Sequence, residues 1–188
     1  MKIFISGGCK NGKSMHAQKM SKLMKPEGKP LYYLATMIPK DDEDKSRIAR
    51  HLQERDGWGF ETVEAGSNVY ETVKKLDCRG SFLFDSVTAL LDNGMFLPNG
   101  EIDTNAHIKA ATDLEVAVAA VENIVIVSDF IYSDAIQYNE YVEAYKSGLA
   151  YVDRKIAALC DVVLEACYGS LISYRGAEVF DKFYSCSI

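Results

Sequence analysis

Cysteine and histidine are too few and too scattered in this chain to staple a fold or build a structural metal centre. The five cysteines, Cys9, Cys78, Cys160, Cys167 and Cys186, form no Cys-x-x-Cys pair and no zinc-type spacing with the three histidines. Reduced thiols are therefore expected rather than disulfides or zinc. Long hydrophobic runs are missing too, since no apolar stretch approaches the ~20 residues that a membrane-spanning helix needs. Met1 leads straight into a short strand-like run, and the expectation is a cytoplasmic chain without a membrane segment. A basic stripe is absent, and the net charge of -6 argues against a nucleic-acid partner while leaving room for a local basic pocket that holds small phosphates. No internal repeat or low-complexity segment is found.

What is present suffices for a packed protein. With 188 residues, 48% of them hydrophobic, the chain can bury one substantial core, and a single domain over residues 1–188 is expected. Apolar runs of strand length at 2–6, 31–36, 81–86, 124–129 and 162–168 alternate with segments of helical period. Those segments follow Gly12 and recur at 44–55, 68–76, 104–121 and 138–159, while residues 97–100 read as a loop. This rhythm predicts an α/β fold with a mainly parallel sheet covered by helices on both faces.

The strongest chemical signal is Gly7, Gly8, Cys9, Lys10, Asn11, Gly12, Lys13 and Ser14, which fits G-x-x-x-x-G-K-[ST] directly after a strand and directly before a helix. Glycines let backbone N–H groups turn inward around an anion, and the following helix points its positive end at the same place. Lys13 then reaches the β- and γ-phosphates of a nucleotide, and the Ser14 hydroxyl ligates Mg2+. A second carboxylate on the metal side is expected at the end of a neighbouring strand. Asp85 suits that place, with the alternative that it caps the next helix; Asp129 is a weaker candidate of the same kind.

Arg47, His51 and Arg55 recur every four residues, so on a helix they share one face while Ile48 and Leu52 turn towards the core. Two guanidiniums beside a histidine disfavour imidazolium, keep a ring nitrogen free to attack phosphorus and hold phosphate oxygens. The alternative is a solvated polar face behind the acidic start of Asp41, Asp42, Glu43 and Asp44. His16 reads as packing against the sheet, with contact to the nucleotide site as the alternative, and His107 as surface. Trp58 and Phe60 either line a pocket or anchor the core, and the tyrosines between Tyr132 and Tyr151 suggest a core or subunit face.

Taken together, these residues resemble the bifunctional adenosylcobinamide kinase / adenosylcobinamide-phosphate guanylyltransferase family of cobalamin biosynthesis. The likeness begins with GGCKNGKSMHA and continues through the YLAT run at 33–36 and the DDE run at 41–43. It then takes in Arg47, Ile48, His51 and Arg55, and next Trp58, Thr62 and Glu64, whose spacing is longer than the family's W-x-T-x-E. FDSVTALLDNGMF follows, with Asp85, Thr88, Asn93 and Phe96 in place. The chain departs from the family pattern where Asp129, Phe130, Ile131 and Tyr132 replace an Asn-Glu-Val-Gly run, and where Asp153 replaces a common asparagine.

The resemblance implies a three-layer P-loop NTPase (RecA-like) domain, with Mg2+ as cofactor and GTP or ATP and a corrinoid as substrates. It implies phosphorylation of cobinamide and then GMP transfer from GTP through a guanylyl-histidine at His51. It also implies nucleotide contacts at Ala35, Thr36, Arg55, Glu64 and Asp85, and a homotrimer. A single-activity P-loop kinase or transferase would show phosphoryl transfer without labelling of His51. A non-catalytic relative would bind GTP without turning over any cobinamide.

Overall fold

The structure, a computed structural model, describes residues 1–184, the side chain of Glu54 apart; Cys186 lies outside the described residues. Seven strands, β1 (Lys2–Gly7), β2 (Leu31–Ala35), β3 (Glu61–Glu64), β4 (Ser81–Asp85), β5 (Asn123–Val127), β6 (Val162–Cys167) and β7 (Ser170–Arg175), form one sheet. The spatial order is β3-β2-β4-β5-β1-β6-β7. Every neighbouring pair is parallel except β6 and β7. The helices are α1 (Lys13–Met24), α2 (Asp42–Glu54), α3 (Val69–Val73), α4 (Val87–Met95), α5 (Ala106–Ala120), α6 (Glu140–Leu159) and α7 (Ala177–Tyr184).

Side chains alternate across a strand, and the central strands use that alternation to build two cores. Phe4, Leu34, Phe82, Phe84, Ile124 and Ile126 face α3, α4, α5 and α6. Ile3, Ile5, Tyr33, Leu83, Val125 and Val127 face α1 and α7. Strands buried on both faces read as continuous apolar runs, which is why KIFIS, SFLFD and NIVIV stand out in the sequence. The result is the three-layer α/β P-loop arrangement. No described helix is long and apolar enough to cross a membrane.

Two strands and two helices escape the sequence reading. β3 has the burial of an edge strand, with Glu61, Thr62 and Glu64 exposed, and β7 alternates SLISYR against β6; neither has the apolar run of a buried strand. α4 follows β4 without a turn residue, its N-terminus capped by the Ser86 hydroxyl, which accepts from the N–H of Ala89 at 3.3 Å. That cap settles one open alternative, because Asp85 does not cap the helix after its strand. α2 begins at the Asp41 cap, whose side chain accepts from Asp44 N–H. Its apolar residues do not turn into the core as expected: Leu52 is 48% exposed and Ile48 half-buried. α2 lies at the rim of the sheet, and its apolar stripe faces a cavity instead.

Candidate nucleotide site

The loop between β1 and α1 is shaped by glycine at two points. A Cβ on Gly7 would sit 2.4 Å from the carbonyl oxygen of Ala166, and Gly12 caps α1 at φ 84°, a conformation that strains any residue with a side chain. Lys13 is buried in this loop. Its Nζ donates to the Gly8 carbonyl at 2.8 Å and pairs with Asp129 Oδ1 at 2.8 Å, which satisfies an ammonium that water does not reach.

Asp85, at the C-terminal end of β4, accepts a hydrogen bond from the Tyr33 hydroxyl at 2.7 Å and lies 3.5 Å from Ser14 Oγ. Burial pushes its carboxyl above the ordinary range, while the hydrogen bond from the Tyr33 hydroxyl and, more weakly, the Arg55 guanidinium pull it down. A divalent cation takes oxygen ligands and keeps several waters and substrate phosphates, so it needs only one or two protein groups. Ser14 and Asp85 fit Mg2+ in chemistry and in mutual position.

A cavity of about 490 Å³ opens beside Asp85 and is walled by β2, β3, β4 and α2. Ala35, His51, Arg55, Glu64 and Asp85 all line it, together with Ile48 and Leu52. Arg55 is 8% exposed, and its guanidinium lies 3.5 Å above the centre of the Tyr33 ring, with Nη2 donating to Thr62 Oγ1 at 3.4 Å. Tyr33 therefore holds both Arg55 and Asp85, one by its face and the other by its hydroxyl.

The other expected residues take different places. Thr36 is fully buried behind the cavity, where its hydroxyl donates to the Ser86 carbonyl at 2.9 Å and accepts from the Ser86 N–H at 2.6 Å. Arg47 points back along α2 to Glu43 at 3.3 Å and Asp44 at 3.7 Å, so its charge is compensated by the acidic helix start. His16 accepts or donates at 2.8 Å to the Tyr184 hydroxyl. His107 is not a free surface residue; it packs edge-on against Tyr151. Phe60 packs on Tyr33, and Trp58 lies under Lys22; neither lines the cavity.

Several contacts around the site were not foreseen in the sequence. Asn93 ties two loops by donating to the carbonyls of Thr36 at 2.7 Å and Gly66 at 3.0 Å. The Asp129 N–H donates to Thr88 Oγ1 at 2.9 Å. Asp153, 3% exposed, accepts from Ser128 Oγ at 3.0 Å and the Tyr132 hydroxyl at 3.1 Å, and its second oxygen has no hydrogen-bond partner among the described residues. Burial pushes its carboxyl up to about 7 against the pull of those two hydrogen bonds. Beyond Tyr132 a larger cavity of about 960 Å³ lies between residues 132–138 and α6.

The likeness to a known family extends along nearly the whole chain. The sequence model of the family described as cobinamide kinase / cobinamide phosphate guanyltransferase matches residues 3–173. The chain belongs to this family. Relatives within the cobinamide kinase / guanyltransferase family include the bifunctional adenosylcobalamin biosynthesis protein CobU of Salmonella typhimurium, 25% identical over 175 residues that cover 87% of this chain and 93% of that protein. The Escherichia coli protein of the same name is 30% identical over 105 residues, 55% of each. Among solved structures, a KaiC-like protein from Pyrococcus horikoshii aligns with a TM-score of 0.47 and 12% identity, covering 93% of this chain and 78% of that one.

Proposed function

We propose that this chain phosphorylates cobinamide and then transfers GMP from GTP to the cobinamide phosphate through a covalent guanylyl-histidine at His51. The observation that carries this reading is the shared wall of the 490 Å³ cavity: His51 and Arg55 from α2 face Asp85, which lies 3.5 Å from the P-loop hydroxyl of Ser14. The contact between Asp85 and Ser14 supports reading phosphate grip and nucleophile as parts of one site.

In the first step the 7–14 loop and the N-terminal end of α1 bind the triphosphate, and Lys13 moves its charge onto the β- and γ-phosphates. Ser14 and Asp85 would hold Mg2+, which supplies charge neutralisation on the phosphates when bound. In the second step a ring nitrogen of His51 bonds to the α-phosphorus of GTP, and the bond to the bridging oxygen breaks to release pyrophosphate. An oxygen of the cobinamide phosphate then bonds to the same phosphorus and frees the histidine. Two phosphate anions need not meet without an intermediary, because a neutral nitrogen carries the group between them.

Arg55, held over Tyr33, supplies fixed positive charge to nucleotide oxygens, and Ala35, Thr36 and Glu64 shape the nucleoside end. Arg47 is reserved for phosphate contact once it leaves Glu43 and Asp44. Assembly as a homotrimer is supported by the exposed Ile131, Ile136, Tyr138 and Tyr141 around the start of α6. A cytoplasmic location accords with the thiols of Cys9, Cys78, Cys160 and Cys167, which are free among the described residues.

The test is incubation with GTP labelled at the α-phosphorus, followed by acid treatment. Acid-labile label on the wild type and none on His51→Ala is the expected result. Equal label on both, or none on either, removes His51 from this role.

A further inference from the structure

Three carboxylates gather at the C-terminal ends of the central strands and just beyond them, and they are not equivalent. Asp85 is engaged by Tyr33 and Ser14 on the metal side. Asp153 is 3% exposed and bonded to Ser128 and Tyr132. Asp129 alone of the three stands beside Lys13, with Oδ1 2.8 Å from Nζ and its side chain 32% exposed.

We infer that Asp129 is the catalytic base of the phosphoryl-transfer step, accepting the proton of the acceptor alcohol; this rests on the kinase activity proposed above. The P-loop lysine marks where the β- and γ-phosphates lie, so a carboxylate in contact with its ammonium lies next to the transferring group. Asp129 is also aimed. Its N–H is anchored on Thr88 Oγ1 at 2.9 Å, and the Thr88 carbonyl accepts from the Tyr145 hydroxyl at 2.9 Å. Strand β5, α4 and α6 thereby fix the backbone on which the carboxylate sits.

The segment that follows Asp129 borders a cavity large enough for a bulky acceptor. Phe130, 43% exposed, and Tyr132 follow Asp129 with their rings 4.8 Å apart, and Tyr132 walls the 960 Å³ cavity against α6. The nucleoside-sized cavity takes its walls from β2, β3, β4 and α2 instead.

The step balances as follows in atoms. The acceptor hydroxyl oxygen bonds to the γ-phosphorus, the bond from that phosphorus to the β–γ bridging oxygen breaks, and the electron pair leaves on the nucleoside diphosphate. The hydroxyl proton passes to Asp129 and from its exposed edge to solvent. Nucleotide binding takes Lys13 over to the phosphates, which frees the carboxylate for that proton.

The experiment compares wild type, Asp129→Asn and Asp129→Glu in steady-state phosphorylation of cobinamide, with nucleotide affinity measured by calorimetry in magnesium. For Asp129→Asn, kcat should fall by about 100-fold or more, the usual contribution of a general base, while the nucleotide Kd stays within about threefold of wild type. Asp129→Glu should recover at least about tenfold of the loss, because a carboxylate is restored. A kcat for Asp129→Asn near wild type, or a loss that lies wholly in weakened nucleotide binding, overturns the assignment. If the wild type itself phosphorylates no cobinamide while binding the nucleotide, the kinase reading fails, and this inference with it.

Discussion

Replacing Asp153 by asparagine should remove a large part of the pH dependence of stability. The carboxyl is 3% exposed, with two hydroxyl donors on one oxygen and none on the other among the described residues, and burial lifts it to about 7. In the unfolded chain an aspartate titrates near 3.9. Between those values the folded protein keeps a proton that the unfolded chain has released. The resulting stabilisation is therefore complete below pH ~4 and declines as pH rises through ~7. At 1.36 kcal/mol per unit, three units amount to about 4 kcal/mol, of which about 2–3 kcal/mol is lost between pH 5 and pH 8. Asparagine keeps the shape, accepts from Ser128 and Tyr132 and carries no charge. Urea unfolding of wild type and Asp153→Asn at pH 5, 6, 7 and 8 measures the difference. The variant should gain about 2–3 kcal/mol on the wild type across that range; parallel curves would refute the reasoning.

Other perturbations have equally definite outcomes. Gly7→Ala places a methyl 2.4 Å from the Ala166 carbonyl, and thermal unfolding should show a loss of about 1–3 kcal/mol, with weaker nucleotide binding. Tyr33→Phe keeps the ring under Arg55 but removes the donor to Asp85; denaturant titration should show a cost of about 1–3 kcal/mol. Asp85→Asn should raise the magnesium concentration needed for half-maximal turnover by about tenfold or more, read from a metal titration of the kinase rate.

The parts of the site that were legible in the sequence are those fixed by local geometry. GGCKNGKS needs only a strand before it and a helix after it, and both are there. The SFLFD run places Asp85 at a strand end because a doubly buried strand is apolar throughout until it emerges. His51 and Arg55 fall on one cavity because four-residue spacing keeps them on one side of α2. What escaped depends on competing local partners or on contacts distant in sequence. Arg47 has the same spacing as His51, yet it turns to Glu43 and Asp44, since a local ion pair at the helix start competes for it. Ile48 and Leu52 have the period of a core face, but α2 sits at the rim, so their stripe meets a cavity. Tyr33 lies among apolar neighbours in β2, and nothing in LYYLA announces that it bridges Arg55 and Asp85, which come 22 and 52 positions later. Asp153 reads as an ordinary polar position on α6 until the fold brings Ser128 and Tyr132 onto it.

The most direct measurement of the whole account is product analysis by mass spectrometry after incubating the protein with cobinamide, magnesium and GTP. Cobinamide phosphate should appear first, followed by cobinamide linked to guanosine through a diphosphate, with His51→Ala stopping at the first product. Absence of both products from the wild type, or the guanosine-linked product from His51→Ala, would contradict it.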